Sequence, residues 1–209
     1  MHRPVRIGLT GPIGCGKSTI ASWLRDAGGV TVDADELARA VTDRGEPTLP
    51  QIRARFGEPV FRADGSLDRG ALAEIVFGDP AALRDLEAIV HPAVRRRIEE
   101  EVTRAETSGA PFVAIEAIKL VEAGYAAECD EVWLIECAPA EQAQRLRSRG
   151  VSADDASRRI AAQGDDLAER LGGSASRRIS TNGSPDGTRS AVESALREAL
   201  ARGARQRPA

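Results

Sequence analysis

The chain has 209 residues, 42% of them apolar and 29% charged, with a formal net charge of -3. That length and balance suit one globular domain or a core domain with an inserted lobe, and the absence of net basic charge argues against nucleic acid or an anionic membrane as partner. No apolar run approaches the roughly 18 residues of a membrane span and no signal-peptide pattern opens the chain, so a cytoplasmic protein is expected.

Residues 5–10 are mostly apolar and β-branched and then break into Gly11, Pro12, Gly14 and Gly16 before a helical pattern near Lys17. This order predicts strand, glycine loop, helix. A second short strand is expected at 29–32, ending at Asp33-Ala34-Asp35, with a helix over about 36–42. Residues 36–110 carry helical periodicity and the turn Ala63-Asp64-Gly65-Ser66, too long for an ordinary crossover, so an inserted helical lobe is expected there. Further strands are predicted at 112–116 and 131–137, followed by an arginine-rich helix over about 139–149, more helix over 151–171, a break at Gly172-Gly173-Ser174, and a closing helix over 190–200. Residues 202–209 read as a frayed, solvated tail. Strands alternating with helices imply an α/β fold: a parallel sheet covered on both faces, with ligands at the carboxyl ends of the strands.

Gly11-Pro12-Ile13-Gly14-Cys15-Gly16-Lys17-Ser18 fits the G-x-x-x-x-G-K-[ST] phosphate-binding pattern in the strand-to-helix setting that the chemistry needs. Glycines let successive amides turn inward around phosphate oxygens, and the helix N-terminus adds its positive dipole end. Lys17 is expected to reach the β- and γ-phosphates of ATP and Ser18 to ligate Mg²⁺, with Thr19 completing the nucleotide-binding stretch. Lys17 is one of only two lysines, the other being Lys119.

Three cysteines, Cys15, Cys129 and Cys137, at irregular spacing suggest reduced thiols rather than a disulfide framework or zinc site. Cys15, beside a helix N-terminus and Lys17, is expected to have thiolate character and to be protected by nucleotide from alkylation. A guanine-specific switch needs an Asn-Lys-x-Asp element, and the single asparagine, Asn182, is followed by glycine. Asp33 closes the second strand at the sheet edge where the loop opens. It is read either as the base that accepts the proton of an acceptor hydroxyl, or a metal holder, or as the cap of the next helix, with Asp35 the better capping candidate. Glu116 ends the third strand and either organises Mg²⁺ through water or caps its loop. Arg145 and Arg149, four residues apart, share a helix face and read as a solvated face or as a lid pair closing on the triphosphate, with Arg145 preferred. Arg159 and Gln163 share a face in the same way, with pairing to Asp155 or Asp166 the structural alternative. Trp23 and Trp133 are expected in the core.

The phosphate loop followed by Val32-Asp33-Ala34-Asp35 resembles the opening of the dephospho-CoA kinases. Asp64-Gly65-Ser66-Leu67-Asp68-Arg69, then Leu72, Val76-Phe77 and Leu86-Glu87-Ala88-Ile89-Val90-His91-Pro92, is similar to that family's D-G-x-[LI]-x-R, VF and LE-x-I-x-HP series. Pro139, Gln142, Arg145 and Arg149 fall at its lid spacing, and Arg159-Ile160-Ala161-Ala162-Gln163 resembles its R-I-x-x-Q element. The resemblance spans about residues 6–197. It implies a single P-loop kinase domain: a core of about 1–35, 111–138 and 175–202, an acceptor-binding helical lobe of about 36–110, and a helical lid of about 139–174.

It further implies transfer of the γ-phosphoryl group of MgATP to the ribose 3′-hydroxyl of dephospho-CoA, the last step of coenzyme A synthesis. On that reading Asp33, Lys17 and Arg145 are catalytic, and Asp33, Asp35, Arg69 and His91 meet the acceptor. The alternatives are another P-loop nucleotide or small-molecule kinase, and a non-catalytic ATP-binding module. Two stretches depart from the family: Ile118-Lys119-Leu120-Val121-Glu122 stands where Pro-Leu-Leu-Phe-Glu is usual, and Arg177-Arg178 replaces an acidic-aromatic pair before Ser180-Thr181-Asn182-Gly183. No nucleic acid and no membrane is expected as partner, and nothing in the sequence fixes an oligomeric state.

Overall fold

The computed structural model describes residues 3–163 and 171–205. Its backbone contacts divide the chain into two compact units, Met1–Val32 with Val102–Ala209, and Asp33–Glu101.

The first unit is built on a five-stranded parallel sheet of order β2-β3-β1-β4-β5. The strands are β1 (Val5–Thr10), β2 (Val30–Asp33), β3 (Phe112–Glu116), β4 (Glu131–Glu136) and β5 (Arg177–Ser180). In the centre β1 pairs in parallel with β3, Ile7 opposite Ala114, and with β4, Leu9 opposite Trp133. Burial on both faces explains why these segments read as continuous apolar runs rather than alternating ones. Every residue of β3 is buried, and Ile7, Leu9, Trp133 and Ile135 lie wholly inside the main core with Ile20 and Leu24 of α1 (Lys17–Asp26).

Helices α6 (Pro139–Ser148) and α7 (Ala153–Ala161) follow β4, and α8 (Pro185–Arg205) closes the unit. The predicted helix over 151–171 and lid over 139–174 fall partly on residues 164–170, outside the described residues. The closing helix is longer than the 190–200 expected. It starts where Pro185 supplies a preset φ and Ser184 Oγ accepts from the Gly187 amide, and it runs on through Arg202, whose guanidinium pairs with Glu131 at 2.7 Å. The expectation of a solvated tail from residue 202 is therefore corrected at Arg202: it engages a carboxylate only 7% exposed, and residues 206–209 lie outside the described set.

The same carboxylate accounts for one departure from the family pattern. Glu131 accepts from the Trp133 indole at 2.7 Å and faces Arg177, which also holds Glu198 at 3.0 Å. Arg178 pairs with Glu136 at 3.0 Å. The Arg177-Arg178 pair thus serves the packing of β5 against β4 and α8.

The second unit holds α2 (Ala34–Ala40), α3 (Thr48–Phe56), α4 (Arg69–Gly78) and most of α5 (Pro80–Thr107), the unit boundary falling within α5. A short turn of 3-10 helix, Glu58–Val60, leads to a bridge between Phe61 and Leu67 closed over the predicted turn, where Asp64 accepts from both the Ser66 amide and hydroxyl. Leu49, Ile52, Val60, Leu67, Leu72 and Val76 form its core. Among the described residues no helix is long and apolar enough to cross a membrane.

Candidate functional site

The loop between β1 and α1 has the curl its glycines predict. Gly11, Gly14 and Gly16 have φ of 136°, 79° and 92°, values that L side chains rarely adopt. At Gly11 a Cβ would also lie 2.1 Å from the Ile135 carbonyl oxygen, so only glycine lets β1 leave the sheet there. Gly16, in the left-handed region, hands the chain to α1 with Lys17 as its first residue.

Inside the curl sits the Lys17 ammonium. The side chain is buried, and its Nζ donates to the Gly11 carbonyl at 2.8 Å and the Pro12 carbonyl at 3.2 Å. Ser18 Oγ donates to Glu116 Oε1 at 2.8 Å, so the end of β3 is joined to the start of α1. Two hard oxygens side by side at the loop's opening, one a carboxylate, are donors suited to a magnesium ion that keeps its waters and takes phosphate oxygens. Among the described residues no three acidic, histidine or cysteine side chains converge as a self-contained metal cage.

Arg145 of α6 is brought to this loop through Thr181. Its guanidinium donates to the Thr181 hydroxyl and carbonyl, each at 2.7 Å, and pairs with Glu141. The Thr181 hydroxyl in turn donates to the Cys15 carbonyl at 2.9 Å. Beside them a cavity of about 280 Å³ is lined by Thr19, Trp23, Arg145, Arg149, Thr181 and Gly183, among others. Trp23 is partly buried against the main core and lines this cavity, whereas Trp133 lies wholly within the core.

A further contact reaches the loop from far along the chain. Gln163 Oε1 accepts from the Ile13 amide at 3.1 Å, which occupies a loop N–H with a neutral carbonyl. Arg159, its partner in the sequence reading, instead pairs with Asp155 at 2.9 Å. Thr181 is the residue that sequence reasoning missed: it follows a short strand and lies in a stretch only partly matching the family pattern. Asn182 Oδ1 accepts from the Ala138 amide at 2.8 Å, fixing the root of α6.

The cysteines overturn an expectation. Cys15 and Cys137 are joined in a disulfide, their Cα atoms 5.1 Å apart, although 122 residues separate them in sequence. Cys15 is therefore neither a reduced thiol nor a reactive thiolate, and it is wholly buried. Cys129 is the free cysteine among the described residues; burial pushes its thiol up to about 12, with Asp130 adding to the shift, so it stays protonated.

The remaining candidate residues belong to the second unit. Asp33, not Asp35, caps α2: its Oδ1 accepts from the Glu36 amide at 2.9 Å, and Asp35 lies in the first helical turn. The expectation that Asp35 is the better cap is corrected by the helix starting at Ala34 rather than at 36. Arg69 is held at the other end of α2, donating to Thr42 Oγ1, the Arg39 carbonyl and Asp43, at 2.8, 2.9 and 2.9 Å. A helix of this length separates Asp33 from Arg69 by roughly 10 Å, so these two acceptor candidates are not neighbours. His91, half-buried on α5, precedes Pro92, which lies inside the helix and lacks the amide that would bond the Ala88 carbonyl. The structure thus gathers Lys17, Ser18, Arg145 and the loop in one unit, and holds Asp33, Asp35, Arg69 and His91 in the other.

A family model described as dephospho-CoA kinase matches residues 5–183. A dephospho-CoA kinase of Symbiobacterium thermophilum is 44% identical over 196 residues, covering 92% of this chain and 80% of the relative. Among solved structures, a Thermus thermophilus protein aligns with a TM-score of 0.78 at 36% identity, over 94% of this chain and 98% of that one. A dephospho-CoA kinase from Campylobacter jejuni aligns with a TM-score of 0.66 at 26% identity, over 92% and 96% of the two chains.

Proposed function

Because the chain belongs to the dephospho-CoA kinase family, we propose that it moves the γ-phosphoryl group of ATP onto the ribose 3′-hydroxyl of dephospho-CoA with the residues described above. It is a phosphotransferase with an alcohol group as acceptor and serves coenzyme A synthesis. The observation that carries the reading is the curled loop with Lys17 inside it and the Ser18–Glu116 pair at its opening.

The chemistry asks for positioning and charge more than for covalent work by the protein. Loop amides hold phosphate oxygens, and Lys17 trades the Gly11 and Pro12 carbonyls for the β- and γ-phosphates. Ser18 and Glu116 are the residues that would hold Mg²⁺, which when bound supplies positive charge to the triphosphate. The amide of Ile13 becomes available when Gln163 yields it. Arg145, a planar cation fixed by Thr181 and Glu141 beside the loop, offsets charge that develops during transfer. The cavity beside Trp23 has the flat apolar wall and polar rim that suit the nucleoside half of ATP.

Asp33 is the last residue of β2, and β2 ends at the carboxyl edge of the same parallel sheet. Oδ1 is used in capping α2, and Oδ2 is the oxygen we assign to receive the proton of the attacking hydroxyl. Asp35, Arg69 and His91 are assigned to the acceptor, with Arg69 acting by holding α2 and His91 by positioning.

The test is ADP release from MgATP with and without dephospho-CoA, with mass analysis of the product. A gain of one phosphoryl group on the 3′-oxygen is expected. Absence of acceptor-dependent release, with ATP still bound, overturns the assignment of substrate.

A further inference from the structure

Besides the bond from the Ile13 amide to Gln163, the phosphate loop is anchored to the rest of its unit at further points. Gly11 lies against the Ile135 carbonyl, the Cys15 carbonyl accepts from Thr181, and the Cys15 sulfur is bonded to Cys137. Within the loop itself the backbone closes the apex with one long bond, Cys15 N–H to the Pro12 carbonyl at 3.4 Å, beside the Lys17 Nζ bonds to the Gly11 and Pro12 carbonyls. The disulfide is thus the strongest tie on the apex, and the one that chemistry can open. Its far end, Cys137, joins β4 to α6 one residue before the α6 cap, so the tie runs from the loop to the root of the helix that carries Arg145. A loop already curled loses less conformational freedom when its amides converge on phosphate oxygens.

We propose that the Cys15–Cys137 bond is a redox-reversible clasp that holds the phosphate loop in its curled form, with Cys137 as a positioning residue acting through Cys15, so that oxidised protein grips the triphosphate more tightly than reduced protein. The proposal rests on the reading of this loop as the ATP site.

The exchange chemistry balances with small thiols and disulfides alone. Cys15 is wholly buried and Cys137 is half-buried, so a dithiol reductant attacks the Cys137 sulfur. The S–S bond breaks, Cys15 leaves as a thiolate and takes up a proton, and the second reductant thiol displaces Cys137 as its own cyclic disulfide forms. Two electrons and two protons pass from reductant to protein. In the reverse direction a small-molecule disulfide is attacked by the Cys137 thiolate, and Cys15 then displaces the second small thiol. Cys129, held protonated by burial, does not compete.

The test measures the KM for ATP and kcat of oxidised and dithiothreitol-reduced protein and of Cys137→Ser, with the linkage read by mass analysis of non-reduced peptides. Reduction is expected to raise the KM for ATP about 3- to 10-fold with kcat changed less than about 2-fold. Cys137→Ser is expected to match the reduced protein and to ignore the reductant, and oxidised glutathione to restore the parent only. A second variant, Cys137→Ala, is expected to do the same, which separates loss of the bond from the chemistry of serine. Cysteines that stay unlinked under oxidised glutathione overturn the clasp, as does an equal KM in both redox states. A merely structural role lowers the melting temperature and leaves the KM unmoved, which also overturns it. Failure of either form to bind ATP overturns the reading of the loop itself, and the clasp with it.

Discussion

The two units hold their candidate residues by different physics. In the sheet unit, Lys17, Ser18, Glu116 and Thr181 are tied by buried and part-buried bonds to backbone and to one another, with a disulfide behind them. In the helical unit, Asp33 is set by a helix cap, and the surface is laced with exposed ion pairs, Arg53–Glu58, Arg55–Asp85 and Arg69–Asp43. Exposed pairs of this kind contribute little each, and Phe77 on α4 is 87% exposed. The loop's chemistry is therefore built into backbone shape, whereas the acceptor candidates depend on side chains displayed from helices. Substitutions should separate the two.

The largest effect is expected where charge is buried in the curl. Lys17→Ala removes the only lysine of the loop and should lower kcat/KM about 10³-fold, with the far-ultraviolet spectrum and dephospho-CoA binding retained. A loss under about 10-fold would assign the phosphate charge to another cation.

A smaller loss is expected from the helical unit. Asp33→Asn keeps a capping oxygen for the Glu36 amide and removes the base, so kcat should fall about 10²-fold while the Kd for ATP stays within about 2-fold. Unchanged turnover would confine Asp33 to capping α2. The Lys17 and Asp33 variants together test whether donor grip and acceptor activation reside in separate units.

A third change probes what holds the sheet unit without touching its chemistry. Glu131→Gln keeps an acceptor for the Trp133 indole but strips the charge that faces Arg177 and Arg202. Arg202 is 46% exposed and well screened, so the cost should be about 2 kcal/mol rather than that of a fully buried pair. A melt should show a decrease of about 4–8 °C with unchanged KM for ATP.

How much of this was legible in the sequence follows the same division. The loop was readable because glycine, lysine and serine at fixed spacing each answer a local geometric need, and β1, β3 and β4 because buried parallel strands write continuous apolar runs. In the helical unit Asp33 was readable as a candidate from its place at a strand end, but a carboxylate at a helix start looks the same whether it caps or catalyses, and Arg69 and His91 were readable as acceptor residues only through family resemblance. A two-residue shift in where α2 begins moved the cap from Asp35 to Asp33. The contacts that finish the site were not legible at all. The bond from Thr181 to Cys15, the bond from Gln163 to Ile13 and the disulfide join positions 166, 150 and 122 residues apart, and no local pattern encodes such pairs. The cysteines were misread for that reason: spacing along the chain says nothing of a loop and a strand end that the fold brings side by side.

The smallest expected effect lies at the start of α4, and its salt dependence distinguishes capping from the charge of Arg62. Asp68 accepts from the Gly70 and Ala71 amides at 3.0 and 3.1 Å. The bond from Ala71 is the main reason its carboxyl lies below the ordinary 3.8, with burial opposing it and Arg62 assisting. A group depressed on folding stabilises the fold above its unfolded value and loses that contribution as pH falls through the folded one. The cap should therefore hold fully above about pH 4 and fade below it, so protein and Asp68→Asn should differ in melting temperature at pH 7 and converge in acid. Because the carboxylate stands in solvent the difference should be slight and insensitive to salt, as a hydrogen-bonded cap is; a difference that salt abolishes would assign the effect to Arg62 instead.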